Sequence, residues 1–100
     1  MKDLILLGAS GSIGTQTLDI VREFNDKFRV LGLSVGSDLE KAKKIIEEFK
    51  PKMVVTKTLK DLNELKCLFK DVEFDYGDSG LINLAIFEKE NLNVTLVVAL

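Results

Sequence analysis

Leu4-Ile5-Leu6-Leu7 runs directly into Gly8-Ala9-Ser10-Gly11-Ser12-Ile13-Gly14. An unbroken apolar run of strand length predicts a strand buried on both faces, as in a parallel sheet. The glycines that follow predict a sharp turn off that strand into a helix. Their spacing is G-x-x-G-x-x-G rather than G-x-G-x-x-G, but the physical needs are similar. Gly8 lets the chain turn, Gly11 lets a diphosphate approach backbone bare of Cβ, and Gly14 lets the helix pack close to the sheet. Free N–H groups at the helix start, with the positive end of its dipole, attract phosphate charge. Ser10 and Ser12 add hydroxyl donors. A tight turn with no ligand would need the same glycines. The strand before, the helix after and a second strand close behind favour the binding loop.

The rest of the chain alternates in the same way. Ile13, Thr17, Val21 and Phe24 form the expected apolar stripe of the first helix, with Asp19, Arg22 and Glu23 facing away and Asn25-Asp26 ending it. Phe28 to Val35 reads as a second strand. Ser37-Asp38-Leu39-Glu40 matches a capping box with Ser37 as the cap. The helix that follows buries Leu39, Ala42, Ile45, Ile46 and Phe49, leaves Lys41, Lys44, Glu47 and Glu48 in water, and stops at Pro51. Met53 to Val55 predicts a third strand, Thr58 to Phe69 a helix packed through Leu62, Leu65 and Phe69, and Val72 to Phe74 a short strand. Ser79 is the expected cap of a helix containing Leu81, Ile82, Ala85 and Ile86. Val94 to Leu100 reads as another buried strand. Strands alternating with helices imply an α/β fold, a doubly wound Rossmann-like parallel sheet with right-handed crossovers. The apolar run to Leu100 suggests the N-terminal portion of a larger enzyme, because a bare last strand would be an aggregation hazard.

At 100 residues the chain has room for one domain, and 46% hydrophobic residues supply its core. Net charge is -2 with Lys and Glu interspersed, which argues against nucleic acid as a partner. No apolar run is long enough for a secretory core or a membrane span. The single cysteine, Cys67, excludes an internal disulfide and points to the cytoplasm. Cys67 lies between apolar neighbours, so packing is favoured over a nucleophilic role. Histidine is absent, which removes imidazole acid–base chemistry and imidazole metal ligation. No catalytic residue and no metal ligand can be named in this chain; Asp75, Asp78, Glu88 and Glu90 read as solvated surface or caps.

The end of the second strand normally selects the cofactor, through a carboxylate on the ribose for NAD or a cation for NADP. Here it reads Ser34-Val35-Gly36-Ser37-Asp38, with Lys41 one helical turn on. Ser37 could donate to a 2′-phosphate, Asp38 would oppose one if it pointed inward, and both could simply cap the helix. These residues leave NAD versus NADP open.

The stretch Gly8 to Val21, G-A-S-G-S-I-G-T-Q-T-L-D-I-V, resembles the opening of the 1-deoxy-D-xylulose 5-phosphate reductoisomerases, which typically reads G-[SA]-[TS]-G-S-I-G-x-x-T-L-D. The resemblance continues through Phe28-Arg29-Val30, Leu33, Gly36 and Phe49-Lys50-Pro51, so it covers most of residues 4 to 56. It implies an NADPH-dependent oxidoreductase of non-mevalonate isoprenoid biosynthesis. Such an enzyme converts 1-deoxy-D-xylulose 5-phosphate, a small sugar phosphate, into 2-C-methyl-D-erythritol 4-phosphate. It also implies a homodimer and a Mg²⁺ or Mn²⁺ cofactor whose ligands lie outside this chain. Carried over by position, the cofactor contacts are Ser10, Gly11, Ser12, Ile13, Gly36, Ser37 and Asp38, beside the Gly8 and Gly14 of the loop itself. The family usually has a basic residue and Asn where this chain has Ser37 and Asp38. Alone, the chain is expected to bind cofactor weakly or not at all and to turn over nothing.

Two other functions share the loop. One is a different G-x-x-G dehydrogenase, with a catalytic Cys as in aspartate-semialdehyde dehydrogenase or a Tyr–Lys pair as in extended short-chain reductases. Tyr76 has no lysine three or four residues later. The other is a non-enzymatic nucleotide-binding module.

Overall fold

The computed structural model describes residues 1–100. Strands and helices alternate throughout: β1 Lys2–Leu7, α1 Ser12–Glu23, β2 Phe28–Ser34, α2 Leu39–Phe49, β3 Met53–Thr56, α3 Leu59–Lys66, β4 Glu73–Tyr76, α4 Gly77–Ala85 and β5 Val94–Val98. All five strands join one parallel sheet in the order β4-β3-β2-β1-β5. The chain thus steps outward from β1 to β4 and then returns to the far side of β1. A right-handed crossover made in the reverse direction must pass over the opposite face of the sheet. The packing shows this. Leu18 and Val21 of α1, Ala42, Ile45 and Ile46 of α2 and Leu65 of α3 cluster with Leu4, Leu6, Val30, Leu33 and Val54 on one face. Leu84 of α4 packs with Ile5, Leu7, Leu31, Met53 and Val55 on the other.

The continuous apolar strands are explained by these two cores. Leu4 to Leu7 alternate between them and all four are buried, which stabilises β1 by about 1.5–3 kcal/mol per side chain relative to exposure. The register of β1 on β2 shifts between Leu4↔Val30 and Ile5↔Gly32, leaving Leu31 as the extra residue of a bulge.

Several local expectations are corrected. The buried stripe of α1 is Gly14, Leu18 and Val21, whereas Ile13 and Phe24 are exposed. Gly14 starts that stripe because it allows close approach, a signal invisible to a count of apolar side chains. The cap of α2 is Asp38, not Ser37: its carboxylate accepts the Lys41 N–H at 3.2 Å. α3 is shorter than expected and is capped by Thr58, which accepts from Asp61 N–H. β4 begins one residue late, at Glu73, and runs on to Tyr76. α4 begins at Gly77, so Ser79 lies within its first turn rather than capping it, and Ile82 and Ile86 are exposed. β5 is an edge strand, and Leu96 and Val98 are exposed rather than buried. Cys67 is exposed at the end of α3, which overturns a packing role. No helix is long and apolar enough to cross a membrane.

Candidate functional site

Parallel strands all point their carboxyl ends the same way, and a crevice opens where neighbouring connections leave on opposite faces. That divide lies at β1, between β2 on one side and β5 on the other. A cavity of about 590 Å³ sits there, within the range of small-molecule sites. Its wall is built from strand ends: Gly8, Ser10 and Gly11 after β1, Ser34, Val35 and Gly36 at β2, Val55, Thr56 and Lys57 at β3, and Ala99 and Leu100 after β5. Gly77, Asp78 and Leu81 from the start of α4 complete it.

The glycine loop is held against β2 by reciprocal bonds. Gly8 N–H donates to Ser34 Oγ at 2.7 Å and Ala9 N–H to the Ser34 carbonyl at 2.8 Å. Gly36 N–H donates back to Ser10 Oγ at 2.8 Å. Lys41 Nζ reaches from α2 to the Ser10 carbonyl at 2.7 Å. Gly8 adopts φ +96°, and a Cβ there would stand 2.7 Å from the Ala99 carbonyl oxygen. Only glycine meets both the left-handed backbone and this close approach of the loop to the chain beyond β5.

These bonds decide which amides remain for a ligand. The amides of Gly8 and Ala9 are already engaged with Ser34 and are not free donors. The N–H groups of Ser10, Gly11, Ser12, Ile13 and Gly14 donate to no acceptor within the chain. α1 has Gly11 as its N-cap and no side-chain cap. The unpaired donors of the first turn, with the helix dipole behind them, give this edge of the crevice the chemistry that an anion requires. The nearest non-local atoms to a Cβ on Gly11 would lie 3.9 Å away, so its backbone is open to approach.

Of the residues expected to touch cofactor, Gly8, Ser10, Gly11 and Gly36 line the crevice. Ser12 and Ile13 present backbone amides beside it, Gly14 is buried beneath, and Ser37 is exposed. Asp38 turns its carboxylate into α2. Ser34, Thr56, Lys57, Gly77 and Asp78 were not singled out as cofactor contacts. Position in the fold brings them together, and the position of each at a strand end or helix start was its sequence signal. Asp78 is exposed in the first turn of α4, as expected of a solvated residue near a helix start, and also borders the cavity. Asp75 is half-buried and accepts from Asn83 Nδ2 at 2.8 Å. Lys41, expected in water, is half-buried with its ammonium on the loop.

The site holds no metal centre: no group of three or more His, Cys, Asp or Glu side chains is arranged to ligate a cation. Two carboxyls are held below their ordinary range, both outside the crevice: Glu48, by the bond from Arg22, and Asp3, at the other end of the sheet. There Arg29 donates to Asp3 at 2.9 and 3.1 Å and Asn91 at 3.0 Å. Cys67 is not among the crevice residues.

Comparison with known proteins agrees with this architecture. The profile for 1-deoxy-D-xylulose 5-phosphate reductoisomerase matches residues 4–100. The chain belongs to the 1-deoxy-D-xylulose 5-phosphate reductoisomerase family. The reductoisomerase of Listeria monocytogenes serovar 1/2a is 49% identical over 87 residues, covering 87% of this chain and 23% of that protein. That of Bacillus cereus ATCC 10987 is 41% identical over 98 residues, covering 98% of this chain and 26% of that protein. The chain therefore spans about a quarter of the length of these reductoisomerases. A reductoisomerase crystallised with fosmidomycin and magnesium superposes with a TM-score of 0.85 at 32% identity, over 99% of this chain and 24% of that one. The Zymomonas mobilis reductoisomerase in complex with NADPH superposes at 0.78 with 26% identity, over 86% of this chain and 23% of that one. In family terms, the resemblance seen in residues 4 to 56 extends through β5.

Proposed function

We propose that this chain is the cofactor-binding part of an NADPH-dependent reductoisomerase that converts 1-deoxy-D-xylulose 5-phosphate into 2-C-methyl-D-erythritol 4-phosphate. The observation that carries this is the row of unpaired amides from Ser10 to Gly14 at the crevice between β1 and β5. A pyrophosphate fits there because it needs donors without competing acceptors and a backbone it can approach, which Gly11 supplies. Relatives solved with NADPH support the identity of the ligand.

Bound NADPH supplies the hydride that reduces the rearranged aldehyde. The residues of this chain bind and orient. The amides of Ser12 and Ile13 and the hydroxyl of Ser12 hold phosphate oxygens. Ser34 and Ser10 keep the loop in the shape that presents those amides, and Gly36 leaves space beside β2. The acid side chains here do not fit a Mg²⁺ or Mn²⁺ centre, so in this reading the metal ligands lie outside this chain. The working enzyme is a cytoplasmic homodimer in this proposal, on the strength of the family resemblance and the lone cysteine.

The test is a pair of assays. In the complete protein carrying this chain, NADPH oxidation should depend on 1-deoxy-D-xylulose 5-phosphate and a divalent metal. The 100-residue chain alone should oxidise none. Steady turnover by the chain alone would refute the division of labour, and a complete protein that ignores NADPH would refute the function.

A further inference from the structure

We propose that the outer flank of α1 is a docking surface for an amphipathic helix of the same polypeptide, drawn from the part that lies outside these 100 residues. The inference rests on the reading above that this chain is one part of a longer polypeptide. It assigns a face of the domain that the cofactor crevice does not use.

α1 carries two apolar stripes. Gly14, Leu18 and Val21 form the buried one, turned to the sheet. Ile13, Thr17, Ile20 and the C-cap residue Phe24 form the other, at spacings of four, three and four residues, which places them in one line along the helix. Ile13 is 58% exposed, Ile20 52% and Phe24 39%. The Thr17 hydroxyl donates to the Ile13 carbonyl at 2.9 Å, so its polar group is already satisfied within the helix. Single exposed apolar residues are ordinary, but a continuous line of them marks a contact surface.

The place of this line in the fold shows what lies beside it. Arg22, on the opposite flank of α1, donates to Glu48 of α2, so the apolar line points away from α2. β1 has β2 on one side and β5 on the other, and α2 lies on the β2 side, so the line overlooks β5. There Thr95 is exposed, and Val97 and Ala99 are only half-buried although they pack against the same core as Leu18. The flank of α1 as wall and β5 as floor form an open groove. No element of the chain fills it: α2 and α3 lie beyond α1, and α4 packs on the other face of the sheet.

Size selects the occupant. α1 has 12 residues and is about 18 Å long, and a neighbouring helix packs at about 8–10 Å, so the strip that one helix covers is roughly 200 Å². A stable dimer needs about 800 Å² from each partner, so a second copy would not hold on this surface alone. A tethered segment does not need that area, because its attachment supplies the effective concentration. The chain covers 26% of the Bacillus cereus reductoisomerase, and a protein of that length has ample further sequence for one matching helix.

The experiment measures thiol labelling in the complete protein, followed on the α1 peptide by mass spectrometry, for Ile20→Cys and Asp19→Cys. Asp19 is exposed and lies off the apolar line. Asp19→Cys should label promptly, and Ile20→Cys at least about 10-fold more slowly at every protein concentration. Ile20→Lys should also lower the melting temperature of the complete protein by about 3 °C or more, while Asp19→Asn leaves it within about 1 °C. Equal labelling of the two cysteines overturns the inference, as does an Ile20→Lys melting temperature equal to that of wild type. Slow labelling that becomes fast on dilution also overturns it, since a second copy would then be the cover. So does a natural polypeptide that ends close to Leu100. A covered Ile20 in a complete protein that oxidises no NADPH with 1-deoxy-D-xylulose 5-phosphate upholds the docking and overturns the reductoisomerase function.

Discussion

The backbone amide of Gly8 donates to the hydroxyl of Ser34 across 2.7 Å, tying the first turn of the glycine loop to the last residue of the neighbouring strand. Ser34 is buried at the wall of the crevice. Ser34→Ala should cost about 1–3 kcal/mol of stability, since it leaves the Gly8 N–H without a partner. It should also weaken NADPH binding, because the loop loses its anchor. Chemical denaturation measures the first effect and cofactor titration the second. Unchanged stability would show that the Gly8 amide finds water instead.

Gly11 and Gly14 should separate binding from folding. A Cβ on Gly14 would overlap the Gly8 carbonyl oxygen, so Gly14→Ala should destabilise the domain by about 3 kcal/mol or more through overpacking. A Cβ on Gly11 meets nothing closer than 3.9 Å, and its φ of -81° suits any residue. Gly11→Ala should therefore keep stability to within about 1 kcal/mol, the scale of an N-cap change, yet obstruct a phosphate. Thermal melts and NADPH titration of the two variants check this. Equal loss of stability in both would contradict the separation.

Asp3 predicts an acid limit to stability. Its carboxylate is buried, and the bonds from Arg29 hold it below the ordinary value of 3.8, with Asn91 adding a further donor. A group whose pKa is lower folded than unfolded stabilises the fold above its unfolded pKa. That contribution is lost as pH falls through the folded value. Arg29→Ala should raise the Asp3 pKa and shift acid unfolding to higher pH. Melts between roughly pH 2 and 6 would show it. An acid limb identical to wild type would mean that Asp3 is not linked to folding.

Cys67 should be dispensable. It is exposed and lies outside the crevice. Cys67→Ser should change stability by less than about 0.5 kcal/mol and leave cofactor binding intact, while a thiol reagent labels the native protein promptly. Slow labelling would indicate a buried thiol.

The architecture was legible because two physical patterns agree along the whole chain. Leu4 to Leu7 and Met53 to Val55 are apolar without alternation, Leu31, Leu33 and Val35 are separated only by Gly32 and Ser34, and each stretch is followed by an amphipathic segment. That combination requires a parallel sheet covered on both faces. The loop was legible because Gly8, Gly11 and Gly14 sit at that junction. Helix starts were less so. Ser37 and Asp38 are adjacent cap formers, and only backbone geometry decides that Asp38 takes the role. Ser79 has the side chain of a cap, and nothing in the sequence shows that α4 follows Tyr76 directly. The far wall of the crevice, from Lys57 to Asp78, depends on strand order, which no local pattern encodes. Lys41 departs from its expected place for a different reason: helical periodicity points it outward, but its length lets it fold back onto Ser10.

The most direct measurement is a crystal structure of the complete protein with NADPH. A pyrophosphate oxygen should lie about 2.7–3.2 Å from the amide nitrogen of Ser12 or Ile13, with the Gly8 amide still bonded to Ser34. A cofactor whose phosphates sit away from the start of α1, or whose binding breaks the Gly8–Ser34 bond, would contradict the claim that these amides are the preformed phosphate site.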